Sequence, residues 1–370
     1  MDPTSEPTDG TSFSSGEVLR TETQSPIPAT SDGDSAYDEW QSTSSSRTRP
    51  LSFSALNYPI EHGRRYHAFQ AGSEYPFFHA NCFFFFSIGA ALTLLVAWFL
   101  AYMLPNDEVE MDRLDLMHEL LVTVIGSQLF LAPVDGQKMH RALDLGTGTG
   151  IWAIELADKF PNIQVTGNDL SPIQPHWIPP NLKFEVDDIE SPWSHTLPFD
   201  FIFGRYLITA IKDFPGLVKS AYENIVPGGW VEFQDFDLNL YCDDGTLPAD
   251  ASSLAWDKYI VEATGRIGTE PSPGPRLEAC IRAAGFRNVT KRQFKIPLGA
   301  WPKDLALRQV GALYLTQMLE GLEGFSLRLM CDVLGWKDDE VRELLAKVRA
   351  EFVSGRHHIY MDYYVVYGQK

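Results

Sequence analysis

Cysteine is scarce in this chain, and no two cysteines are close enough together to form a metal or redox motif. Four cysteines are spread over 370 residues without a CxxC spacing, which argues against a disulfide framework and against a zinc site. No cleavable signal sequence is recognisable near the first residue, so we expect a reducing compartment, either cytoplasm or nucleus. No metal site is predicted.

Basic residues are also few. Lys and Arg number 30 against 49 Asp and Glu, which gives a formal net charge of −19. Proteins that bind the phosphate backbone of nucleic acids present clustered positive charge, so direct binding of nucleic acid is not expected. Hydrophobic residues make up 44% of the chain, which is enough to fill the core of a folded domain.

The first 55 residues lack the regularly spaced apolar residues that a folded domain needs. They are rich in Ser, Thr, Pro, Asp and Glu, and burial of so few apolar groups cannot offset the conformational entropy lost on ordering. We therefore expect residues 1–55 to form a disordered acidic tail and the folded domain to begin near residue 56.

Charged residues are absent between Glu74 and Asp107. Within this stretch, residues 83–104 form a run of 22 mostly apolar residues, long enough to cross about 30 Å of hydrocarbon as a helix. Taken alone, the run predicts a single-pass transmembrane helix. Arginines precede it and acidic residues follow it, an arrangement that would place the C-terminal part outside the cytosol.

From Arg113 onward, short apolar segments alternate with segments of helical periodicity. Such alternation is typical of a parallel sheet covered by helices. The sequence predicts strands at 141–145, 164–169, 183–186, 199–204 and 230–235, and two later strands at 288–296 and 358–367. Helices are predicted at 254–264, 276–284, 305–319 and 338–352.

The most informative motif joins the first of these strands to a helix. It reads Asp144-x-Gly146-x-Gly148-x-Gly150. Glycine lets a backbone approach a ligand closely and adopt conformations that other residues avoid. The G-x-G-x-x-G/A spacing of dinucleotide-binding enzymes fails here, because position 151 is Ile. A nicotinamide-dependent oxidoreductase is therefore disfavoured.

Carboxylates end the next two predicted strands. Asp169 lies 19 residues after Gly150, a position from which a carboxylate can accept hydrogen bonds from both hydroxyls of a ribose. Asp187 and Asp188 follow the third strand and offer a carboxylate to an adenine amino group. Together with a later Pro-Gly-Gly turn at 227–229, this order resembles the class I S-adenosylmethionine-dependent methyltransferases.

Five further runs and one histidine resemble elements of one branch of that superfamily, the fungal LaeA-like methyltransferases. They are residues 65–69 (RYHAF), 104–108 (LPNDE), 112–116 (DRLDL) with His118, 150–154 (GIWAI) and 169–175 (DLSPIQP). The resemblance covers the chain from Tyr58 to its last residue. It implies a doubly wound, mostly parallel seven-stranded Rossmann-like sheet with a helical addition in the C-terminal part.

The resemblance also implies a cofactor, S-adenosyl-L-methionine, and a place for each site residue. Asp144 and the three glycines of the motif, Gly146, Gly148 and Gly150, would line the methionine and ribose side. Asp169 would bind the ribose hydroxyls, and Asp187 or Asp188 the adenine.

The chain departs from this family at one place. In relatives the elements at 65–69 and 102–107 are almost adjacent, whereas here the 28 residues 74–101 separate them. The methyltransferase domain would thus comprise residues 56–73 and 102–370. Ser73-Glu74-Tyr75 can be encoded with a GTGAGT splice donor, so we hypothesise that 74–101 is a translated, unspliced intron. The rival hypothesis is a membrane anchor through 83–104 with the catalytic domain in the cytosol.

Methyl transfer from a sulfonium requires alignment of the reactants rather than a nucleophilic side chain. A base helps where the acceptor must lose a proton. Candidates for such catalytic roles at the ends of the fourth and fifth strands are Arg205, Tyr206, Glu232 and Asp235, although Arg205 and Asp235 can equally form a structural ion pair.

Two functions fit these features. The first is methylation of an oxygen or nitrogen of a small molecule in fungal secondary metabolism. The alternative is a nuclear LaeA-like regulator of secondary-metabolite gene expression that acts through protein partners.

Overall fold

The computed structural model describes residues 58–67 and 103–370. The predicted tail at 1–55, the insert at 74–101 and residues 83–102 of the predicted transmembrane run lie outside the described residues. Among the residues that are described, no helix is both long enough and apolar enough to span a membrane.

Seven strands form one sheet, and two shorter strands that precede them, β1 (Ile60–Glu61) and β2 (Arg64–Arg65), form a separate N-terminal hairpin. In chain order the seven are β3 (Arg141–Leu145), β4 (Gln164–Asp169), β5 (Leu182–Val186), β6 (Phe199–Arg205), β7 (Ile225–Phe236), β8 (Arg287–Pro297) and β9 (Tyr360–Gln369). Their order in the sheet is β5-β4-β3-β6-β7-β9-β8. The first five are parallel, and β9 runs antiparallel between β7 and β8. The predicted mostly parallel seven-stranded sheet is confirmed.

The Pro-Gly-Gly run at 227–229 is predicted as a turn before the fifth of these strands, but it lies within β7. Phe199 pairs with Ile225, and Phe201 pairs with Trp230, so the run forms an irregularity in the register. Gly228 adopts a left-handed φ of +84°, and a Cβ at Gly229 would come within 2.9 Å of the Asp200 carbonyl oxygen. Glycine thus permits a bulge in a strand that sequence patterning starts later.

The helices, in chain order, are α1 (Glu108–Val124), α2 (Ile151–Lys159), α3 (Phe214–Glu223), α4 (Ser252–Ile267), α5 (Leu277–Ala283), α6 (Leu305–Arg328) and α7 (Asp338–Ser354). Helix α7 packs on both α4 and α6, and α6 packs on α1, which forms the predicted helical addition. Their shared core contains Trp256, Leu322, Leu345 and Phe352.

Helix α6 continues to Arg328, well past the predicted end at 319. Two glycines weaken its apolar pattern beyond residue 319, but the structure shows that both are positions of close packing. A Cβ at Gly321 would lie 2.9 Å from Cδ of Arg113, and one at Gly324 would lie 3.1 Å from Nη1 of Arg64. The absence of side chains at these positions lets α6 approach α1 and the N-terminal hairpin closely.

That hairpin consists of β1 (Ile60–Glu61) and β2 (Arg64–Arg65), and it is fixed to the start of α1. Arg64 donates two hydrogen bonds to the Asp107 carboxylate, at 2.5 Å and 2.7 Å. Asp107 also caps α1 by accepting from the Glu110 N–H. Tyr66 and Pro105 form an antiparallel bridge. The chain on the two sides of the insert is therefore paired at its base.

A buried ionic network joins α1 to α6. Arg113 is 0% exposed and donates from Nε and Nη2 to the two carboxylate oxygens of Glu110, at 2.9 Å and 2.6 Å. Its Nη1 donates to Oε1 of Gln317 at 2.8 Å. Glu110 balances the charge of the Arg113 guanidinium, and each of the three guanidinium nitrogens donates a hydrogen bond. Burial of an ion requires both conditions.

Candidate active site

A cavity opens at the carboxyl ends of the parallel strands, where open α/β sheets place their ligands. Its walls contain residues from the ends of β3, β4 and β6, from the loop after β5, from α1 and from the loop that follows α4. Six of the seven residues predicted to hold the cofactor line it: Asp144, Gly146, Gly148, Asp169, Asp187 and Asp188. The seventh, Gly150, is the N-cap of α2 at the end of the glycine loop.

The glycine loop forms one wall of this cavity. Gly146, Gly148 and Gly150 have φ values of +65°, +57° and +82°, in the left-handed region that other residues rarely adopt. A Cβ at Gly150 would lie 2.4 Å from the Phe184 ring. Local geometry therefore demands glycine at these positions and leaves the backbone of the loop bare toward the cavity.

Asp144 opens the glycine motif and is buried at 3% exposure. Its Oδ2 accepts a hydrogen bond of 2.6 Å from the Thr147 hydroxyl. Burial removes the carboxylate from water and raises its pKa to about 7, an effect that the Thr147 hydrogen bond opposes. A cationic ligand group next to Asp144 would favour the ionised form.

Asp169 lies at the end of β4 beside the glycine loop. Its Oδ2 accepts from the Gly148 N–H at 2.8 Å and its Oδ1 accepts from the Ser171 N–H at 2.9 Å. Burial raises the pKa of this carboxyl to about 6 even though both hydrogen bonds favour the charged form. The carboxylate thus holds the loop and lines the cavity at the same time.

Asp187 and Asp188 both line the cavity, but their carboxylates have different surroundings. The oxygens of Asp188 accept from the Glu190 N–H at 2.9 Å and from the Ser191 hydroxyl at 3.1 Å, so they stabilise the turn after β5. Asp187 accepts the Asp188 N–H through Oδ1. Of the two, Asp187 is better placed to accept a hydrogen bond from a ligand.

Two of the four candidates for catalysis do not line the cavity. Glu232 is 0% exposed and its Oε2 accepts from the N–H groups of Leu131 and Ala132 at 2.8 Å and 2.5 Å. Asp235 accepts from the N–H groups of Leu207 and Phe236, each at 2.9 Å. The structure places both carboxylates as anchors of neighbouring backbone.

Burial raises the pKa of Glu232 to about 7 and that of Asp235 to about 8. Raised carboxyl pKa values are common for catalytic bases. The side chains of Glu232 and Asp235 nevertheless accept hydrogen bonds from backbone N–H groups outside the cavity wall. The raised pKa values alone would suggest a direct role in catalysis, but the positions of the two carboxylates argue against it.

The other two candidates, Arg205 and Tyr206, line the cavity. Arg205 hydrogen-bonds Nδ1 of His118 at 2.7 Å rather than pairing with Asp235. Tyr206 has a left-handed φ of +58°, as does Thr209 at +62°. Such conformations cost about 1 kcal/mol or more in a residue with a side chain, and Asp235 and β7 hold the segment in place.

Several cavity residues were not assigned roles from the sequence. His67, Asn106, Leu114 and His118 line the cavity, as does Met117. The first four belong to the residues that carry the resemblance, at 65–69, 104–108, 112–116 and 118. Those runs were therefore a usable signal for the cavity wall, but a run of letters does not show which of its side chains point inward.

Sequence comparison with known proteins finds one matching family profile and similar fungal proteins. A family profile described as a methyltransferase domain matches residues 100–291. Methyltransferase pytC of Aspergillus terreus is 40% identical over 321 residues, which cover 86% of this chain and 90% of that protein. Secondary metabolism regulator LAE1 of Cochliobolus heterostrophus is 33% identical over 324 residues, covering 85% and 95% respectively.

Among solved structures, phosphoethanolamine N-methyltransferase 2 of Haemonchus contortus matches with a TM-score of 0.38 and 17% identity. The match covers 70% of this chain and 52% of that one.

Proposed function

Because this chain belongs to the LaeA-like fungal methyltransferases, S-adenosylmethionine-dependent enzymes of class I fold, we propose that it methylates an oxygen or nitrogen of a small molecule in fungal secondary metabolism. The observation that carries the proposal is one cavity with Asp144, Asp169 and Asp187 ranged around a bare glycine loop.

The cavity residues fit the cofactor. Asp169, beside the glycine loop, would accept hydrogen bonds from the ribose hydroxyls, and Asp187 from the adenine amino group. The backbone of 146–150 would pass close to the ribose and methionine, where a Cβ would obstruct it. Bound S-adenosylmethionine supplies a methyl group already activated on a sulfonium.

The remaining wall of the cavity contains both apolar and polar side chains, and part of it would face the acceptor. Its apolar members include Leu114, Met117, Ile211 and Ile267, and such side chains favour contact with apolar parts of an acceptor molecule. Burial raises the pKa of Tyr206, which keeps its hydroxyl protonated near neutral pH. Tyr206 would therefore donate a hydrogen bond that orients an acceptor oxygen or nitrogen, and alignment would be the main contribution to rate.

Similarity to a secondary metabolism regulator supports the alternative, a nuclear protein that works through protein partners. The experiment that separates the two is transfer of a labelled methyl group from S-adenosylmethionine into a fungal extract split into small molecules and proteins. Label in the small-molecule fraction that is lost with Asp144→Ala supports the proposal. A regulatory phenotype that survives Asp144→Ala would favour the regulator.

The pairing of Tyr66 with Pro105 leads to a prediction about the insert. Deleting 74–101 to join Ser73 to Tyr102 should change the affinity for S-adenosylhomocysteine by less than about twofold, because Tyr66 and Pro105 are already paired and the length of chain between paired residues has a small entropic effect. Isothermal titration calorimetry on the full chain and on the deletion variant measures this.

If the deletion variant fails to fold or to bind, residues 74–101 are part of the domain, and the result favours the membrane-anchor hypothesis over the intron. Transcript reads that cross codons 73 to 102 without a gap would contradict the intron hypothesis. A domain of 56–73 and 102–370 would be placed in the cytoplasm or nucleus, where the cofactor is available.

A further inference from the structure

Arg205 lies in the cavity wall with one nitrogen unused. Its Nη2 contacts Nδ1 of His118 at 2.7 Å, while Nη1 is buried and has no hydrogen-bond partner among the residues that the structure describes. An unsatisfied donor on a buried charged group is costly. A ligand oxygen in the cavity would satisfy it.

His118 determines where this guanidinium points. An arginine only donates hydrogen bonds, so Nδ1 of His118 must accept and the ring proton must be on Nε2. This Nε2 lies 3.3 Å from Oε1 of Glu155 but makes no hydrogen bond among the described residues. Burial, assisted by the charge of Arg205, lowers the pKa of His118 to about 3. His118 is thus a neutral acceptor that orients Arg205 without adding charge.

Arg205 and Asp144 place opposite charges at one end of the glycine loop. Leu145 pairs with Gly204 in the sheet, so the residues that follow them, Gly146 and Arg205, leave adjacent strand ends together. Asp144 uses Oδ2 to accept from Thr147 and Arg205 donates to His118. An α-amino acid carries an ammonium and a carboxylate on one carbon, and this arrangement offers a partner for each.

We propose that Arg205 binds the α-carboxylate of the cofactor's methionine end and that His118 is the positioning residue that orients the Arg205 guanidinium. This inference rests on the proposed function. Asp144 faces the ammonium. Arg205 then belongs to cofactor binding rather than to proton transfer at the acceptor, which was the role considered for it from sequence.

Two ligands test this directly. S-adenosylhomocysteine carries the amino-acid group, whereas 5′-methylthioadenosine has the same adenine, ribose and sulfur but lacks it. Arg205→Gln should weaken S-adenosylhomocysteine binding by about 10- to 100-fold, the range for loss of a charge-assisted hydrogen bond, and leave 5′-methylthioadenosine binding unchanged. Arg205→Lys, which retains the charge but not the planar fork, should fall between.

The positioning role of His118 has its own pair of variants. His118→Phe removes the acceptor, whereas His118→Asn retains an oxygen near the place of Nδ1. We expect His118→Phe to weaken S-adenosylhomocysteine binding by about 5- to 10-fold and His118→Asn to restore most of the loss. Binding of 5′-methylthioadenosine should follow neither change.

Calorimetry on the full chain gives distinct outcomes. Unchanged S-adenosylhomocysteine affinity in Arg205→Gln would overturn the proposal. Equal losses of affinity for both ligands would also overturn it, because equal losses indicate a structural role for Arg205. Unmodified protein that binds neither ligand would contradict the proposed function itself, and this inference with it.

Discussion

Asp169→Ala is expected to lower the affinity for S-adenosylhomocysteine by about 100-fold or more, since two hydrogen bonds to a charged group are lost together. The same carboxylate accepts the Gly148 N–H at 2.8 Å, so its removal also releases the glycine loop from its place beside the ligand. Isothermal titration calorimetry at neutral pH, where the carboxyl with a pKa of about 6 is ionised, measures the loss.

The neighbouring carboxylates provide the control for this result. Asp188→Asn changes a cavity residue whose oxygens accept from Glu190 and Ser191, and it should bind nearly as tightly as the unmodified protein. Asp187→Asn should bind more weakly, because an adenine amino group would lose a charged acceptor. If Asp169→Ala binds like the unmodified protein, the ribose assignment is wrong.

The parallel part of the sheet was predictable because its strands are buried on both faces. Such strands are short continuous apolar runs between turn residues, and the predicted bounds at 141–145 and 164–169 match β3 and β4. The carboxyl ends of adjacent parallel strands meet at one edge of a sheet. These strand bounds, together with the family resemblance, were therefore enough to predict that Asp144 and Asp169 lie near each other, and both line the cavity.

Non-local pairing could not be read in the same way. Strand β9 lies between β7 and β8, so Tyr367 pairs with Glu232 on one side and with Thr290 on the other. Nothing in the local sequence of a strand specifies partners this far away along the chain. The sequence predicted that β8 and β9 exist, and only the structure shows where they join.

The same limit explains the candidates for catalysis. Glu232 lies in a predicted strand that runs toward the cleft, but its partners are the backbone groups of Leu131 and Ala132, about one hundred residues earlier. His118 and Arg205 meet across 87 positions. Residue type and strand position indicate that a charged group is near a site, whereas its orientation depends on distant chain.

Replacing Arg113 should cause the largest loss of stability. Arg113→Met removes the charged partner that Glu110, which is 2% exposed, has among the described residues. A buried carboxylate left without its cation costs about 3–5 kcal/mol in the free energy of unfolding. Gln317 would lose a donor as well. Urea denaturation monitored by tryptophan fluorescence measures the difference.

A double variant separates the worth of the ion pair from the cost of breaking it. Replacing both Arg113 and Glu110 with methionine removes the unpaired charge, so most of the lost stability should return. The exposed pair Arg266 and Glu262 on α4 is the matched control, and Arg266→Met should cost less than about 1 kcal/mol. Equal losses for Arg113→Met and Arg266→Met would show that burial does not set the cost. A large difference would show that burial sets the cost of breaking the network between α1 and α6.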